Sequence, residues 1–252
     1  MRIQVLASGS KGNCTFIESN NTRILIDVGV NYSRIKKSLE KIDIDINSID
    51  GIIISHTHSD HIGGLSSVIK KVNIPVFIKE ELYSEIKKII PEDNIVIIEN
   101  ETTINSIDVK IINASHDVPA FGFIIDDGKN KVLYLTDTGY INRKYYSLLE
   151  NLDAYIIESN HDEKMLMEGP YPYILKQRVI SDKGHLSNRY TGRFLSNTIG
   201  DKTKYIILAH LSEKNNTEEL ALSQVNEELK NNAYKNKIII AKQHEETEMI
   251  QL

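Results

Sequence analysis

The chain has 252 residues, of which 40% are hydrophobic and 26% are charged, and its formal net charge is −5. This composition is typical of a globular protein with a substantial core, and it excludes a uniformly basic nucleic-acid binder, although a local basic patch can still bind nucleic acid. No apolar run approaches the roughly 20 residues that span a bilayer, so we expect no membrane association. The one cysteine, Cys14, excludes an internal disulfide and fits a reducing cytoplasm, where we expect the protein.

Short apolar strands alternate with helical patterns along the whole chain. The predicted strands are Ile3–Ala7, Cys14–Glu18, Arg23–Asp27, Ile52–Ile54, Val76–Ile78, Ile95–Ile98, Ile107–Ile112, Gly122–Ile125, Lys131–Leu135, Ala154–Ile157, Tyr205–Leu208 and Lys237–Ala241. The predicted helices are Ser33–Lys41, Leu65–Lys71, Glu80–Ile89, Arg143–Glu150, Ser187–Thr198 and Glu218–Asn231. The second half repeats the order of the first from about Phe121. Two similar halves predict two sheets packed face to face with helices outside, as one α/β domain over residues 1–252.

The segment 56–61 follows a predicted apolar strand and reads His-Thr-His-Ser-Asp-His. In an extended segment, residues two apart point the same way, so His56 and His58 can converge on one ion. The chain then turns into the next predicted helix, which leaves Asp60 and His61 free to face a second ion. A lone histidine is more simply interpreted as a surface or hydrogen-bonded residue. Because neutral imidazole is the commonest metal ligand, this cluster instead predicts a metal site.

Other predicted strands also end in a single acidic or histidine residue, namely Asp27, His116, Asp137 and His210. Taken singly, each could be a turn former or a hydrogen-bonding loop residue. Ligands at the ends of apolar strands lie along one rim of a sheet, where rigid elements hold them. Their recurrence together with the 56–61 segment therefore predicts one shared site.

At these residues the chain resembles the metallo-β-lactamase superfamily of hydrolases, over nearly its whole length. The resemblance implies a four-layer αββα sandwich that holds two divalent metal ions. It implies that one ion is bound by His56, His58 and His116. The other ion would be bound by Asp60, His61 and His210. Asp137 would bridge the ions, and Asp27 would lie beneath the site and orient a ligand histidine. Imidazole and carboxylate ligands suit zinc, manganese or iron.

Further segments narrow the resemblance. The presence of His61 directly after Asp60 resembles the two-metal phosphoesterase and thioesterase branches, not the antibiotic-hydrolysing branch with its cysteine ligand. Four more segments resemble the YycJ (WalJ) group of bacterial cytoplasmic proteins associated with DNA exonuclease activity, namely residues 7–14, 158–162, 184–188 and 208–212. The resemblance implies a metal-dependent phosphodiesterase, a DNA exonuclease, with DNA as its substrate.

The chemistry of such a site assigns further roles. Two cations about 3.5–4 Å apart can clamp a phosphoryl group and lower the pKa of bound water towards about 7, which supplies a hydroxide nucleophile. In this interpretation Asp60 is both a ligand and a catalytic residue that orients the nucleophile. The leaving oxygen then needs a proton or a nearby positive charge, for which His161 and His185 are the candidates. The alternative for His185 is a cap or loop contact before the helix predicted at Ser187.

One stretch bears on the substrate. Between Lys164 and Arg193 six basic residues outnumber two acidic ones, and tyrosines are interleaved. Basic side chains can neutralise phosphates and tyrosine rings can stack on bases, although a solvated helical surface with core tyrosines is the alternative. The backbone N–H groups of the Gly-rich turn after the first strand can also cradle a phosphate. The candidate substrate-binding residues are Ser10, Asn13, Asn160, Lys176 and Arg178.

Two other functions remain open. One is hydrolysis of a small substrate, such as a cyclic phosphodiester, a thioester or a lactone, which a closed and narrow pocket without a basic groove would favour. The other is a regulatory protein whose metals are structural. No sequence feature indicates an obligate protein partner.

Overall fold

The computed structural model describes residues 1–230, 232–233 and 235–252. In this part of the chain the strands are β1 (Arg2–Ala7), β2 (Cys14–Ser19), β3 (Thr22–Ile26), β4 (Gly51–Ile53), β5 (Val76–Lys79), β6 (Ile95–Ile98), β7 (Glu101–Ile104), β8 (Ile107–Asn113), β9 (Phe121–Asp126), β10 (Lys131–Leu135), β11 (Ala154–Glu158), β12 (Tyr205–Ala209), β13 (Lys237–Ile240) and β14 (Ile250–Gln251). The α-helices are α1 (Tyr32–Glu40), α2 (Ser59–Ile62), α3 (Leu65–Ile69), α4 (Tyr83–Ile86), α5 (Tyr146–Leu149), α6 (Glu163–Glu168), α7 (Tyr173–Ile180), α8 (Asn188–Thr198) and α9 (Glu218–Leu229). Short 3-10 helices cover Ile46–Ser48, Glu80–Leu82, Glu92–Asn94 and Arg143–Tyr145.

The strands described form two mixed sheets with the same plan. One sheet has the order β14-β1-β2-β3-β4-β5-β6, and the other has the order β13-β12-β11-β10-β9-β8-β7. In each sheet, antiparallel strands come first along the chain and parallel strands follow, except that the short strand β14 pairs antiparallel with β1 at the edge of the first sheet. The inner parallel strands β4, β11 and β12 are buried almost throughout, and their near-continuous apolar runs fit that position. The two predicted similar halves are confirmed, but the second sheet begins with β7 at Glu101, earlier than the predicted start near Phe121.

The hydrophobic core lies between the two sheets and beneath the helices. One buried cluster joins Ile26 and Ile53 of the first sheet to Phe123 and Ile156 of the second. Ile35 of α1 belongs to the same cluster. A second buried cluster packs the outer face of the second sheet against helices, and it includes Leu133, Tyr155, Phe194, Leu195 and Val225. The fold is the predicted α/β sandwich.

Local signals explain where the longer helices begin. The Ser187 side chain accepts a hydrogen bond from the backbone N–H of Tyr190 at the start of α8. The Thr217 side chain does the same for Leu220 at the start of α9. Such caps satisfy backbone donors that have no partner within the helix.

The structure agrees with the predicted strands more closely than with the predicted helices. Each predicted strand is present, with ends that differ by one residue at most. The helix predicted over 80–89 is instead a 3-10 turn followed by the single turn of α4, and that predicted over 143–150 is a 3-10 turn followed by α5. The last residue of the helix predicted to end at Asn231 lies outside the described residues.

Besides the one-turn helix α2 and the 3-10 turns at Ile46–Ser48 and Glu92–Asn94, four elements were not predicted. Strand β7 is an edge strand in which only Ile104 is buried, so it has no alternating apolar pattern. Helices α6 and α7 are short, and the apolar residues Tyr173 and Ile174 of α7 are 68% and 84% exposed. The fourth, β14, has only two residues. Among the described helices, none combines the length and the apolar character needed to cross a membrane.

Candidate metal centre

The candidate site lies where several strands end. Asp27 directly follows β3, Asp137 follows β10 by two residues, and His210 directly follows β12. All three residues have left-handed backbones, with φ values of 59°, 55° and 55°. Non-glycine residues adopt this region at a cost of roughly 1–3 kcal/mol, and such positions cluster at functional sites. The backbone therefore turns sharply at three positions whose side chains belong to one site.

Three of the histidines form the first cluster. The ligand atoms of His56, His58 and His116 lie within 4.8 Å of one another. His116 Nε2 is 3.3 Å from His58 Nδ1. His116 Nδ1 is 3.2 Å from the carbonyl oxygen of Gly184, which leaves Nε2 as the atom that faces the cluster. The three rings are thus arranged around a common centre.

The second cluster consists of Asp60, His61 and His210, whose ligand atoms also lie within 4.8 Å of one another. His210 Nε2 is 3.4 Å from Asp60 Oδ2. Asp137 joins the two clusters, because its Oδ2 is 3.1 Å from His61 Nε2 and it also groups with His56. The structure therefore brings together all seven residues that the sequence suggests as ligands.

Several buried polar atoms at this centre have no hydrogen-bond partner in the described part of the chain. They include His56 Nε2, Asp137 Oδ2 and His210 Nε2. A buried polar atom without a partner is costly, and imidazole nitrogens and carboxylate oxygens are ordinary ligands of divalent cations. The donor set and its geometry fit divalent metal ions.

Charges around the second cluster favour a cation. Burial works to lower the pKa of His61, but the carboxylates of Asp27 and Asp137 outweigh it and raise this pKa to about 10. Burial also works to lower the pKa of His210, but the negative charge of Asp137 outweighs it. The pKa of His210 therefore lies well above its usual value. Burial works to raise the pKa of Asp137, but His210 and His61 hold it well below its usual value. The centre stabilises positive charge, which protons supply unless a metal ion displaces them.

Asp27 supports the centre from beneath. Its Oδ2 is 2.7 Å from His61 Nδ1, so the other ring nitrogen of His61 faces the cluster. The same carboxylate accepts hydrogen bonds from Ser55 N, from Ser55 Oγ and from the hydroxyl of Tyr134. Asp27 itself is fully buried. These contacts fix both the carboxylate and the imidazole ring that it orients.

Glu158 is a fully buried carboxylate that the sequence analysis did not single out. Its Oε1 is 2.7 Å from His185 Nδ1 and 3.0 Å from His210 Nδ1. Its Oε2 accepts hydrogen bonds from the backbone N–H groups of Thr138 and Leu186. Burial works to raise the pKa of Glu158, but the charge and hydrogen bond of His185 lower it to about 2. Glu158 ends β11 just as acidic or histidine residues end other strands, so the same pattern points to it.

Asp117 also has a place at the centre that the sequence did not indicate. Its Oδ1 lies 3.3 Å from His58 Nε2 and 3.4 Å from His116 Nε2. Its other oxygen forms an ion pair with Arg178 of α7. Asp117 therefore connects helix α7 to Nε2 of the candidate ligand His58.

A cavity of about 290 Å³ opens above the centre. Three of the predicted substrate-binding residues, Ser10, Asn160 and Arg178, line it. His185 also lines it, with 22% of its side chain exposed. The basic and aromatic stretch contributes further lining residues, namely Tyr171 and Lys183. The cavity thus combines a metal-binding floor with basic residues at its wall.

Three of the predicted catalytic and substrate-binding residues do not line this cavity. Asn13 is buried behind the centre, with its Nδ2 2.9 Å from His61 Nε2 and its Oδ1 accepting from Gly9 N. The ammonium group of Lys176 donates instead to the carbonyl oxygen of Met167. His161 is buried, and its Nδ1 has no hydrogen-bond partner among the described residues. Burial lowers its pKa to about 4, so its imidazole is neutral near pH 7.

Comparison with known proteins identifies the family. A family model described as the β-lactamase superfamily domain matches residues 22–210. Exodeoxyribonuclease YycJ of Bacillus anthracis is 35% identical, over 90% of each chain. Exodeoxyribonuclease WalJ of Streptococcus pneumoniae is 36% identical, over 90% of this chain and 87% of its own. This chain belongs to the YycJ/WalJ family of the β-lactamase superfamily.

A solved structure shares the fold. The metallo-β-lactamase fold protein YhfI of Bacillus subtilis has a TM-score of 0.74 over 97% of this chain and 98% of its own, at 17% identity. That likeness shows a shared fold. The resemblance to the YycJ/WalJ family that the motifs carry is confirmed, and the family belongs to a superfamily of metal-dependent hydrolases.

Proposed function

We propose that this member of the YycJ/WalJ family is a two-metal-dependent phosphodiesterase that removes nucleotides from the ends of DNA. One observation carries the proposal. Five of the seven candidate ligands, namely His58, Asp60, His116, Asp137 and His210, line a cavity whose wall also holds the cationic side chains of Arg178 and Lys183. Metal ligands and cations around one cavity suit a phosphodiester substrate. The names of the two relatives, both exodeoxyribonucleases, support DNA as that substrate.

The ligand sets follow from the clusters. His56, His58 and His116 would hold one ion, Asp60, His61 and His210 would hold the other, and Asp137 would be shared, with zinc, manganese or iron as the metals. When bound, the two cations supply Lewis acidity that activates water and stabilises charge on the attacked phosphoryl group.

Side chains of the protein complete the reaction. Asp60 is partly exposed to the cavity, so its carboxylate can orient the attacking water and accept its proton. On the leaving side, Nδ1 of His185 is held by Glu158, which leaves Nε2 as the atom able to give a proton to the leaving oxygen. We assign this role to His185 and not to His161, because only His185 lines the cavity. Arg178, Lys183 and Asn160 would bind the phosphates of the substrate.

Two broader expectations accompany the function. We propose that residues 1–252 act as one domain, which the core cluster that joins both sheets supports. We also propose a cytoplasmic location, which rests on the one cysteine, Cys14, and its burial as a free thiol.

The test is nuclease activity of ligand variants. Asp137→Ala and His58→Ala should each abolish hydrolysis of labelled single- and double-stranded DNA with Mn²⁺, Zn²⁺, Fe²⁺ or Mg²⁺, while the circular dichroism spectrum stays native. His244→Ala is the matched control, since His244 is 65% exposed and belongs to none of the clusters. Undiminished activity of both ligand variants, or no DNA hydrolysis by the wild type with any of these metals, would reject the proposal.

A second candidate is hydrolysis of a small phosphodiester. The size of the cavity above the centre favours it, because about 290 Å³ accommodates a ligand of roughly nucleotide size. Comparison of kcat/KM for cyclic mononucleotides with kcat/KM for DNA ends decides between the two. A preference for the cyclic substrates would favour the second candidate.

A further inference from the structure

A second cavity, of about 880 Å³, is lined in part by the loop that follows Asp137 and has no part in the function proposed above. It is formed by the loop after Asp137, the segment before α5 and one face of α8. Tyrosine and arginine dominate its lining, which includes Tyr140, Arg143, Tyr146, Tyr190, Arg193 and Asn197. None of the described residues that line it is acidic.

One loop joins this cavity to the metal centre along the chain, because Asp137 lines the cavity above the centre and Tyr140 lines the second one. Tyr140 follows Asp137 by three residues, so their Cα atoms lie within about 11 Å of each other. The hydroxyl of Thr138 donates to the carbonyl oxygen of Tyr140, and the N–H of Thr138 donates to Glu158. The loop between the two cavities is therefore held by the same buried carboxylate that contacts His185.

The aromatic rings of the cavity are held in place. The Tyr190 hydroxyl accepts a hydrogen bond from the N–H of Ile141, at 3.3 Å. The Tyr146 ring packs edge-on against Phe194, with 5.4 Å between ring centroids. Both tyrosines are half-buried, whereas Tyr140 is 36% exposed. A binding site with positioned rings loses little entropy when a planar ligand binds.

The two arginines differ in how far they are neutralised. Nε of Arg193 lies 3.5 Å from Glu228. Arg143 is exposed and has no ion pair with any residue that the structure describes. A free guanidinium next to tyrosines can bind a phosphate while the rings stack on bases.

From these features we propose that the second cavity binds a single-stranded segment of the DNA whose end lies at the metal centre. The inference rests on the proposed function and adds a site for the strand away from the scissile bond. Single-stranded DNA fits better than duplex, because the faces of its bases are free to stack on tyrosine rings. The volume of about 880 Å³ lies within the range of ligand sites.

The experiment compares a long substrate with a small one in the metal-loaded enzyme. The variants are Tyr140→Ala and Arg143→Gln, and the substrates are bis(p-nitrophenyl) phosphate and oligothymidine of about 20 nucleotides, longer than usual single-strand site sizes of roughly 4–16. Lys144→Gln is the matched control, since Lys144 is adjacent in sequence and exposed but does not line the cavity. Circular dichroism and melting temperature check that each variant is folded.

Each cavity variant should lower the ratio of kcat/KM for the oligonucleotide to kcat/KM for the small substrate by about tenfold. Arg143→Gln should also reduce the slope of log affinity against log salt by about 0.7, as expected for one lost phosphate contact on a single strand. Lys144→Gln should change neither quantity.

The outcomes separate this inference from the proposed function. If the wild type cleaves the oligonucleotide and the cavity variants keep the wild-type ratio and salt slope, the second site is rejected while the nuclease function stands. If the wild type hydrolyses only the small substrate and does not bind the oligonucleotide, both proposals fail. If Lys144→Gln lowers this kcat/KM ratio as much as the cavity variants do, the loss is a general effect of charge. That outcome would also reject the second site.

Discussion

The carboxylate of Glu158 lies 2.7 Å from Nδ1 of His185, across 27 positions of sequence. Glu158 is fully buried and also lies 3.0 Å from Nδ1 of His210. One carboxylate therefore orients both the candidate proton donor and a candidate metal ligand. Backbone N–H groups from the loops after β10 and before α8 hold it in place.

Replacement of this carboxylate should impair catalysis without unfolding the protein. Glu158→Gln should lower kcat by about tenfold to a hundredfold, the usual effect of losing a partner that orients a ligand. Burial works to lower the pKa of His185, but Glu158 raises it above its usual value. Loss of the negative charge should lower that pKa, so the alkaline limb of the pH–rate profile should move to lower pH. Steady-state kinetics over a pH series provide the measurement.

A double variant gives the control for this interpretation. If Glu158 acts through His185, then Glu158→Gln combined with His185→Ala should be little worse than His185→Ala alone. Additive losses would show that Glu158 acts through another group such as His210, and a pH–rate profile that does not move would show that Glu158 does not set the pKa of His185.

The link between α7 and the first cluster leads to a prediction about metal affinity. Asp117 lies 3.3 Å from His58 Nε2 and forms an ion pair with Arg178. Asp117→Asn should weaken binding of one metal ion by about tenfold, because the imidazole loses the carboxylate that orients it. Isothermal titration with Zn²⁺ measures this directly. Lys176→Gln on the same helix should bind metal as the wild type does, since the Lys176 ammonium group donates to the carbonyl oxygen of Met167 and Lys176 does not line the cavity.

Much of the centre could be predicted from the sequence because its residues follow local patterns. Asp27, Asp137 and His210 each end an apolar strand, and such strands are the elements most easily predicted. The Asp117–Arg178 pair could not be predicted in this way, since its members are 61 positions apart and only the packing of α7 brings them together. Glu158 follows the same strand-end pattern. In the sequence, however, its neighbours Asn160 and His161 were the residues given roles, as a substrate-binding residue and a proton donor.

Helix α7 shows a second limit of the sequence patterns. An amphipathic helix normally buries its apolar side chains, and that periodicity is what makes a helix predictable. In α7 the side chains of Tyr173 and Ile174 are exposed instead. This helix faces the cavity with Leu175, Arg178 and Val179, which the sequence pattern does not distinguish from the other residues of the helix.

Acid should weaken one contact that anchors the C-terminal segment. Glu246 accepts hydrogen bonds from Ser38 Oγ and Lys41 Nζ of α1 and its cap, at 2.5 and 3.0 Å. Burial works to raise its pKa, but these partners lower it to about 2. Because the unfolded value is about 4.3, the carboxylate stabilises the fold above that pH, and the effect is lost as pH falls towards the folded pKa.

Glu246→Gln should therefore lower the free energy of unfolding by about 1 kcal/mol at pH 7, allowing for solvent screening, and the difference should vanish near pH 2. Urea denaturation at several pH values measures the difference. Glu245→Gln is the control, since Glu245 is 72% exposed and makes only a 3.7 Å contact with Lys242. A difference that stays constant from pH 7 to pH 2 would contradict the assigned role of charge.

Metal removal should destabilise the protein and depend on pH in a defined direction. Cations that bind only the folded state stabilise it by about 2.7 kcal/mol at a free concentration of 100 times Kd, so a chelator should lower the melting temperature. The raised pKa values of His61 and His210 mean that metal ions must displace protons from these rings. Apparent affinity should thus fall as pH falls, with protons released on binding. Calorimetric titration in buffers of different ionisation enthalpy counts those protons. In a separate measurement, the chelator should lower the melting temperature of His56→Ala by less than it lowers that of the wild type. Metal binding without proton release, or a melting temperature that the chelator leaves unchanged, would exclude these histidines as ligands.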